Sequence, residues 1–467
     1  MIIEKCAIFA QNCFNENNEI MLIRFVTSNF MSIGKECEFN MLSAPLHNHP
    51  NHVYYNATKR IKILKGAAIY GANGAGKSNI VRAIDFLKAA VISGEIIPNV
   101  SRFKYKLDRE ISNNPMVFDV EYEWQQKFYG YRLEINNDII VEESLYELGF
   151  KKEDKLLFCR SYNSQTQKIV VEIGGNNAQS ARTKLLEKLL AENILDNRKL
   201  LLNYHSMLNS TKITIAFNWF VDGLQVLFPN TKFAGMAIAL SDSARFSTFA
   251  NSMITTFDTG VTHIDIDIIS MDEFFGEDNY QNKRKLMDHL IQTKQDTPIP
   301  LKNGSIVVAS VDAKGDFIIK KPITYHKDSF NNDVVFDVVE ESDGTQRLLD
   351  IIPAIDMFLN NGTTVVIDEV DESLHPSLLK AIIAKIMDSN PIKGGQFIVT
   401  THESNLLDSD IYRQDEIWFV EKHNGSSELY PLTDFSPRSD LQLQKGYLMG
   451  RFGAIPFLAN LRDLNWQ

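Results

Sequence analysis

The stretch Gly71-Ala-Asn-Gly-Ala-Gly-Lys77-Ser78 satisfies G-x-x-x-x-G-K-[ST] at every fixed position, and no other feature limits the possible folds of this chain so tightly. An apolar run, Gly66-Ala-Ala-Ile-Tyr70, precedes it. Asn79-Ile-Val-Arg-Ala-Ile-Asp-Phe-Leu87 follows, with apolar residues at helical spacing. Strand, glycine-rich loop and helix in that order are the context the pattern requires. Glycines let successive backbone N–H groups converge on phosphates, and the helix N-terminus adds positive potential. Gly71, Asn73, Gly74, Gly76, Lys77, Ser78 and Asn79 are therefore the expected nucleotide cradle. Lys77 would reach the β and γ phosphates and Ser78 a magnesium ion.

The chain has 467 residues and 44% hydrophobic content, enough for a large core and for two or three domains. Its formal net charge of −11 is offset only by short clusters such as Lys283-Arg-Lys285 and Lys151-Lys152. A protein that coats nucleic acid is not indicated by that charge, although a local basic groove is left open. Four cysteines, Cys6, Cys13, Cys37 and Cys159, have neither metal-site spacing nor the density of a disulfide scaffold. They read as free thiols in a reducing cytoplasm. The apolar run Cys6–Ala10 is too short for a signal peptide, and no run of 18 apolar residues occurs, so no membrane association is expected. Met21 stands directly before the first strand-like segment, and residues 1–20 read as an extension.

Leu22–Val26 and Glu36–Met41 suggest a hairpin across Ser32-Ile-Gly34, and Val117–Trp124 with Tyr129–Ile135 alternates as an antiparallel pair. From about Ser180 to Phe228 the pattern turns helical without a sustained heptad, which argues against a long coiled-coil arm. Ser305–Ser310 and Asp316–Lys320 flank Val311-Asp-Ala-Lys-Gly315 as a third hairpin.

Three further patterns narrow the chemistry. Thr364-Val-Val-Ile-Asp368-Glu369 is a buried-strand pattern ending in two carboxylates: Asp368 suits magnesium, and Glu369 suits deprotonating an attacking water. Gln396-Phe-Ile-Val399 leads to Thr400-Thr-His402-Glu403, which puts His402 at a strand end where it can sense a γ phosphate. Glu341-Ser-Asp-Gly-Thr-Gln346 opens the helical run Arg347–Ile355. Ser342 and Gly344 there expose backbone donors suited to a phosphate, although taken alone the segment reads better as a simple Ser-capped helix.

In chain order these pieces resemble the ATP-binding-cassette ATPases, in the branch that holds SMC-like heads and the overcoming-lysogenization-defect family. The resemblance implies that Asp368-Glu-Val-Asp371 is the Walker B ending and His402 the switch histidine. Ser342-Asp-Gly344 then corresponds to the signature loop that binds ATP held by a second subunit. Two departures stand out: Glu341 and Asp343 in place of the common Leu-Ser-Gly-Gly form, and His375 where SMC heads carry an Asp. No residue matches the family's Q-loop glutamine, since Gln125 and Gln126 read as hairpin-turn residues. Asn29-Phe30, Tyr70–Asn79 and the tail Lys445–Pro456 resemble stand-alone prokaryotic ATPases of anti-phage systems, of the abortive-infection, PARIS and retron-associated types.

The fold implied is α/β, a P-loop NTPase with an ABC-type head of a mixed or antiparallel lobe plus a parallel-sheet lobe, and a mainly helical insert. The expected organisation is an extension at 1–20, a head part at 21–175, the insert at 176–300 and a second head part at 301–467. The expected activity is magnesium-dependent ATP hydrolysis between two head-to-tail copies, as a homodimer or higher homo-oligomer. The main expectation is a cytoplasmic anti-phage sensor, triggered by a phage protein and acting on a neighbour-encoded effector nuclease. A DNA repair or recombination ATPase and a transporter subunit are the alternatives. A nuclease centre of its own is not expected, because only 65 residues follow His402 and they carry no Toprim-like acidic set. Docking of the effector is expected on the insert, around Trp219 and Phe220.

Overall fold

The computed structural model describes residues 20–56, 61–150, 153–175, 178–232, 235–276, 280–391, 394–436 and 442–455. Residues 1–19 of the expected extension, with Cys6 and Cys13, and also Lys151-Lys152 and Pro456, lie outside the described residues. The chain forms two compact units. The larger is built from Phe14–Phe228, Phe358–Asp371 and Lys380–Gln467; the smaller includes Pro229–Met357 and Glu372–Leu379.

Besides the antiparallel pair Val53–Asn56 and Ile61–Leu64, the larger unit carries two large sheets. One is a seven-stranded antiparallel sheet in the order Lys168–Ile173, Lys155–Asn163, Ile139–Glu147, Lys127–Asn136, Met116–Trp124, Ile20–Ser28 and Cys37–Asn40. Both hairpins read from alternation in this region are present. Gln125 and Gln126 form the two-residue turn with φ of 52° and 61°, the paired left-handed geometry that suits the twist of adjoining strands. The other sheet runs Leu224–Leu227, Thr364–Ile367, Gln396–Thr401, Gly66–Gly71 and Ile417–His423 in parallel, with Ser426–Pro431 antiparallel at the edge. Its central strands are buried along their whole length, which explains why they read as unbroken apolar runs.

The P-loop helix Lys77–Ser93 buries Ile80, Val81, Ile84, Leu87 and Val91 on one stripe. Gln396 joins the two sheets. Its Oε1 accepts from the Leu22 N–H at 2.5 Å and from Thr364 Oγ1 at 3.0 Å, and its Nε2 donates to the carbonyls of Leu22 at 2.8 Å and Leu64 at 2.9 Å.

The segment 176–300 is helical for most of its described length but does not stand apart as one insert. Its first part belongs to the larger unit: Trp219 stacks on Tyr122 with ring centroids 4.2 Å apart, and Phe220 meets Tyr131 edge-on at 5.5 Å. Both side chains are buried, so they form core and not the exposed docking surface expected of them. Leu224–Leu227 extends the parallel sheet beside Thr364–Ile367, so removing 176–300 would strip an edge strand from the P-loop sheet.

The smaller unit has a five-stranded sheet formed by His263–Ser270, Thr297–Pro300, Ile306–Val311, Phe317–Lys327 and Asp333–Asp337. Met271, Leu290, Val307, Ala309 and Ile319 form a core there. The expected hairpin across 311–315 is one of its turns. The helix Asp343–Asp356 is buried throughout its second half and is tied by Lys232 to Asp350 at 3.0 Å and by Arg245 to Asp356 at 2.6 and 2.8 Å.

Candidate nucleotide site

The strand Gly66–Gly71 delivers the loop, and two glycines shape it. Gly76, the N-cap of the P-loop helix, has φ of 117°, and a Cβ there would lie 2.1 Å from Ser427 Oγ. Gly74 has φ of 76° and open space around it. These left-handed conformations are cheap only for glycine. Asn73 is exposed, while Ser78 and Asn79 are half-buried.

A hydroxyl network braces the loop from behind. Ser427 Oγ donates to the Ala75 carbonyl at 2.5 Å and lies 2.7 Å from Ser32 Oγ, which accepts from Asn79 Nδ2 at 2.7 Å. Asn79, expected among the nucleotide ligands, thus also holds the loop in place. Ser32 and Ser427 are 395 positions apart, and nothing local in the sequence signals their meeting.

Asp368 closes the strand Thr364–Ile367 and is buried. Thr400 Oγ1 donates to its Oδ1 at 2.6 Å and accepts from the Glu369 N–H at 2.8 Å. One hydroxyl therefore fixes both acidic residues from the neighbouring strand. Glu369 has φ of 48°, an unusual backbone for a residue with a side chain, and such outliers gather at functional sites. Asp371 accepts from the His402 N–H at 3.3 Å through both oxygens. Thr400 and Asp371 were not singled out as site residues from sequence, although they sit inside the two patterns that carry Glu369 and His402.

Lys77 and His402 meet at the centre. Lys77 Nζ donates to the Gly71 carbonyl at 2.8 Å and approaches the two ring nitrogens of His402 at 3.0 and 3.1 Å. An ammonium has no acceptor, so the imidazole must accept, which requires its neutral form. Burial and the neighbouring ammonium both hold the His402 pKa below its ordinary value. Burial pushes the Lys77 amine down to about 8, against the pull of Glu369, Asp371 and Asp368. Glu369 Oε1 stands 4.0 Å from His402 Nε2. The arrangement groups one cation, one neutral imidazole and three carboxylates beside a phosphate-shaped loop.

A magnesium ion bound with a nucleotide asks for one or two protein oxygens, the rest being phosphate and water. Asp368 and the Ser78 hydroxyl meet that small demand. Among the described residues no group of three His, Cys, Asp or Glu forms an all-protein cation site.

Ser342 and Gly344 belong to the smaller unit. Ser342 caps the helix Asp343–Asp356, its Oγ accepting from the Thr345 N–H at 3.2 Å, so the capping role read from sequence is realised whatever else the residue does. A Cβ on Gly344 would come within 2.9 Å of the Ser373 carbonyl, so close backbone approach by itself calls for glycine here. His375 is exposed and its Nδ1 accepts from the Ser377 N–H at 3.2 Å. Cys37 and Cys159 are free thiols, pushed up by burial to about 12 and about 11. No helix among the described residues is long and apolar enough to cross a membrane.

Solved structures similar to this chain include an SMC head bound to the C-terminal winged-helix domain of ScpA, at 13% identity and TM-score 0.41, covering 88% of this chain and 96% of that one. The SMC head domain from Thermotoga maritima matches at 12% identity and TM-score 0.36, covering 88% and 98%. The Smc head domain with an extended coiled coil from Pyrococcus furiosus, bound to the C-terminal domain of ScpA, matches at 13% and 0.34, covering 92% and 99%. No curated protein matches the chain. The sequence profile described as "AAA domain, putative AbiEii toxin, Type IV TA system" matches residues 67–170 and 160–408, most of the chain. With its P-loop, its paired carboxylates and its strand-end histidine gathered on one parallel sheet, the chain belongs to that family of AAA-domain P-loop ATPases.

Proposed function

We propose that this chain is a magnesium-dependent ATPase that works as a nucleotide-driven switch, pairing head to tail around two ATP molecules and controlling an effector nuclease in anti-phage defence. The observation that carries the ATPase part is the convergence of Lys77, Asp368, Glu369 and His402 on one end of the parallel sheet. Thr400 holds Asp368 and Glu369 there, Asp371 holds His402, and Lys77 meets the His402 ring. The family description, which names a toxin of a type IV toxin–antitoxin system, supports a role in conditional growth arrest or defence.

In this reading the loop N–H groups and Lys77 bind the β and γ phosphates, Lys77 exchanging its contacts with Gly71 and His402 for phosphate oxygens. Ser78 and Asp368 would hold the magnesium ion, which would supply charge neutralisation on the phosphates. Glu369 takes the proton of the attacking water, and its backbone, fixed by Thr400, aims the carboxylate. Neutral His402 keeps one N–H, which it donates to the γ phosphate and withdraws when that phosphate leaves. Ser342 and Gly344 contact the nucleotide of the second copy. Hydrolysis then removes the shared ligand and separates the pair. The head draws on 21–175 and 301–467 together with the strand Leu224–Leu227.

Light scattering tests the pairing. The Glu369→Gln protein should double its mass with ATP, and Ser342→Arg in that background should not, while still binding nucleotide as a single subunit. An unchanged mass with ATP in both proteins would remove the head-to-tail reading. For the defence part, cells carrying the whole locus should lose phage protection with Lys77→Ala, and protection that persists would refute it.

A further inference from the structure

Glu341 departs from the common signature form, and its surroundings give it a task. Ser342 and Asp343 are exposed, yet the Glu341 side chain beside them is only 6% exposed. A single carboxylate oxygen, Oε1, accepts both from His326 Nε2 at 2.7 Å and from the Thr324 hydroxyl. Both donors lie on the strand Phe317–Lys327, where Thr324 pairs with Phe336 and His326 packs against its ring. On the helix side, Gln346 Nε2 donates to the Glu341 carbonyl at 2.9 Å. The preceding turn Val338–Glu340 is closed by a capping box between Asp337 and Glu340. The residue before Ser342 is thus held from the sheet by its side chain and from the helix by its backbone.

Helix capping does not explain this carboxylate, because Ser342 already supplies the cap. A buried carboxylate is costly unless its oxygens are satisfied, so Glu341 is a poor choice for simple filling. Two donors draw it inward, away from the exposed face that Ser342 and Asp343 share. We propose that Glu341 is a positioning residue: the clamp by His326 and Thr324 sets where the Ser342 hydroxyl and the helix N-terminus stand for a nucleotide held by a second copy. This rests on the head-to-tail reading above. It makes the five-stranded sheet the part of the smaller unit that fixes the trans contact.

The test uses the full chain in the Glu369→Gln background. It measures ATP-dependent pairing by light scattering and single-subunit binding with a fluorescent ATP analogue. Glu341→Ala should weaken pairing about tenfold or more, the size expected for losing buried charge-assisted hydrogen bonds, and leave single-subunit binding unchanged. Glu341→Gln can offer its amide oxygen to both donors and should restore pairing to within about threefold of the parent. Thr324→Val, which removes one donor at nearly constant volume, should weaken pairing in the same direction by a smaller factor, and it stands in if Glu341→Ala fails to fold. If Ser342→Arg blocks pairing while Glu341→Ala and Thr324→Val pair like the parent, the positioning role is wrong. Equal impairment by Glu341→Ala and Glu341→Gln would overturn the hydrogen-bond clamp. Normal pairing by Ser342→Arg would instead overturn the head-to-tail reading on which the role depends.

Discussion

The larger unit and the smaller unit each present a glycine-bearing helix start, and they hold it by opposite means. At the P-loop, left-handed glycines bend the backbone itself, and a hydroxyl network presses on the bend from behind. At Ser342 the helix start has an ordinary serine cap, and its place is set by a carboxylate anchored on a distant strand. The first design makes a rigid cradle whose geometry tolerates no side chain at Gly76. The second holds an ordinary serine-capped helix start through one neighbouring side chain, so its place depends on the sheet that carries Thr324 and His326.

The comparison can be tested from its strongest side first. Glu369→Gln keeps the shape of the site and removes its base, so turnover should fall about a thousandfold, as for removal of a general base, while ATP stays bound; single-turnover hydrolysis measures this. A rate near the parent's would transfer the base to another residue. Gly76→Ala puts a methyl group against Ser427 and a Cβ on a left-handed backbone, and should abolish nucleotide binding measured by titration calorimetry. Gly74→Ala meets nothing within 4 Å and pays only the backbone cost, about 1–2 kcal/mol, or a tenfold change in affinity. If the two alanine variants behaved alike, the brace by Ser427 would be irrelevant to the cradle. Ser427→Ala, which leaves the Ala75 carbonyl without its donor, should weaken ATP binding by about 1 kcal/mol, a fivefold change in the same titration.

The smallest effect concerns pH. The Lys77 amine is pushed down to about 8, so its positive charge is complete below that pH and fades above it. ATP affinity should therefore decline gently as pH rises through 8 to 9, and the decline should vanish in Lys77→Met. Between about 8 and the ordinary lysine value the native state binds fewer protons than the unfolded chain. The nucleotide-free protein thus gains stability from this residue as pH rises through that window, opposite in sign to the change in affinity.

The parts of the fold legible in sequence were those written in short-range spacing. The loop 71–78, the hairpin across Gln125-Gln126 and the buried strand before Asp368 all declare themselves within about twenty residues. Ser32 and Ser427 could not, because a serine in a turn has the same local appearance whether or not it braces a loop. Trp219 and Phe220 were misread for a related reason. Aromatic residues without a helical register look available for docking until the sheet that receives them, through Tyr122 and Tyr131, is known. Glu341 looked like a mere departure from pattern because its partners, Thr324 and His326, lie on a strand that sequence alone does not direct toward it.

Gln396 gives the larger unit a further property. Its one carboxamide is shared among Leu22, Leu64 and Thr364, so the antiparallel sheet cannot part from the parallel one without stranding several buried polar groups at once. The backbone amides of the two sheets should then exchange with solvent deuterium as one block, opening together or not at all, although Leu22 and Gln396 stand far apart in the chain.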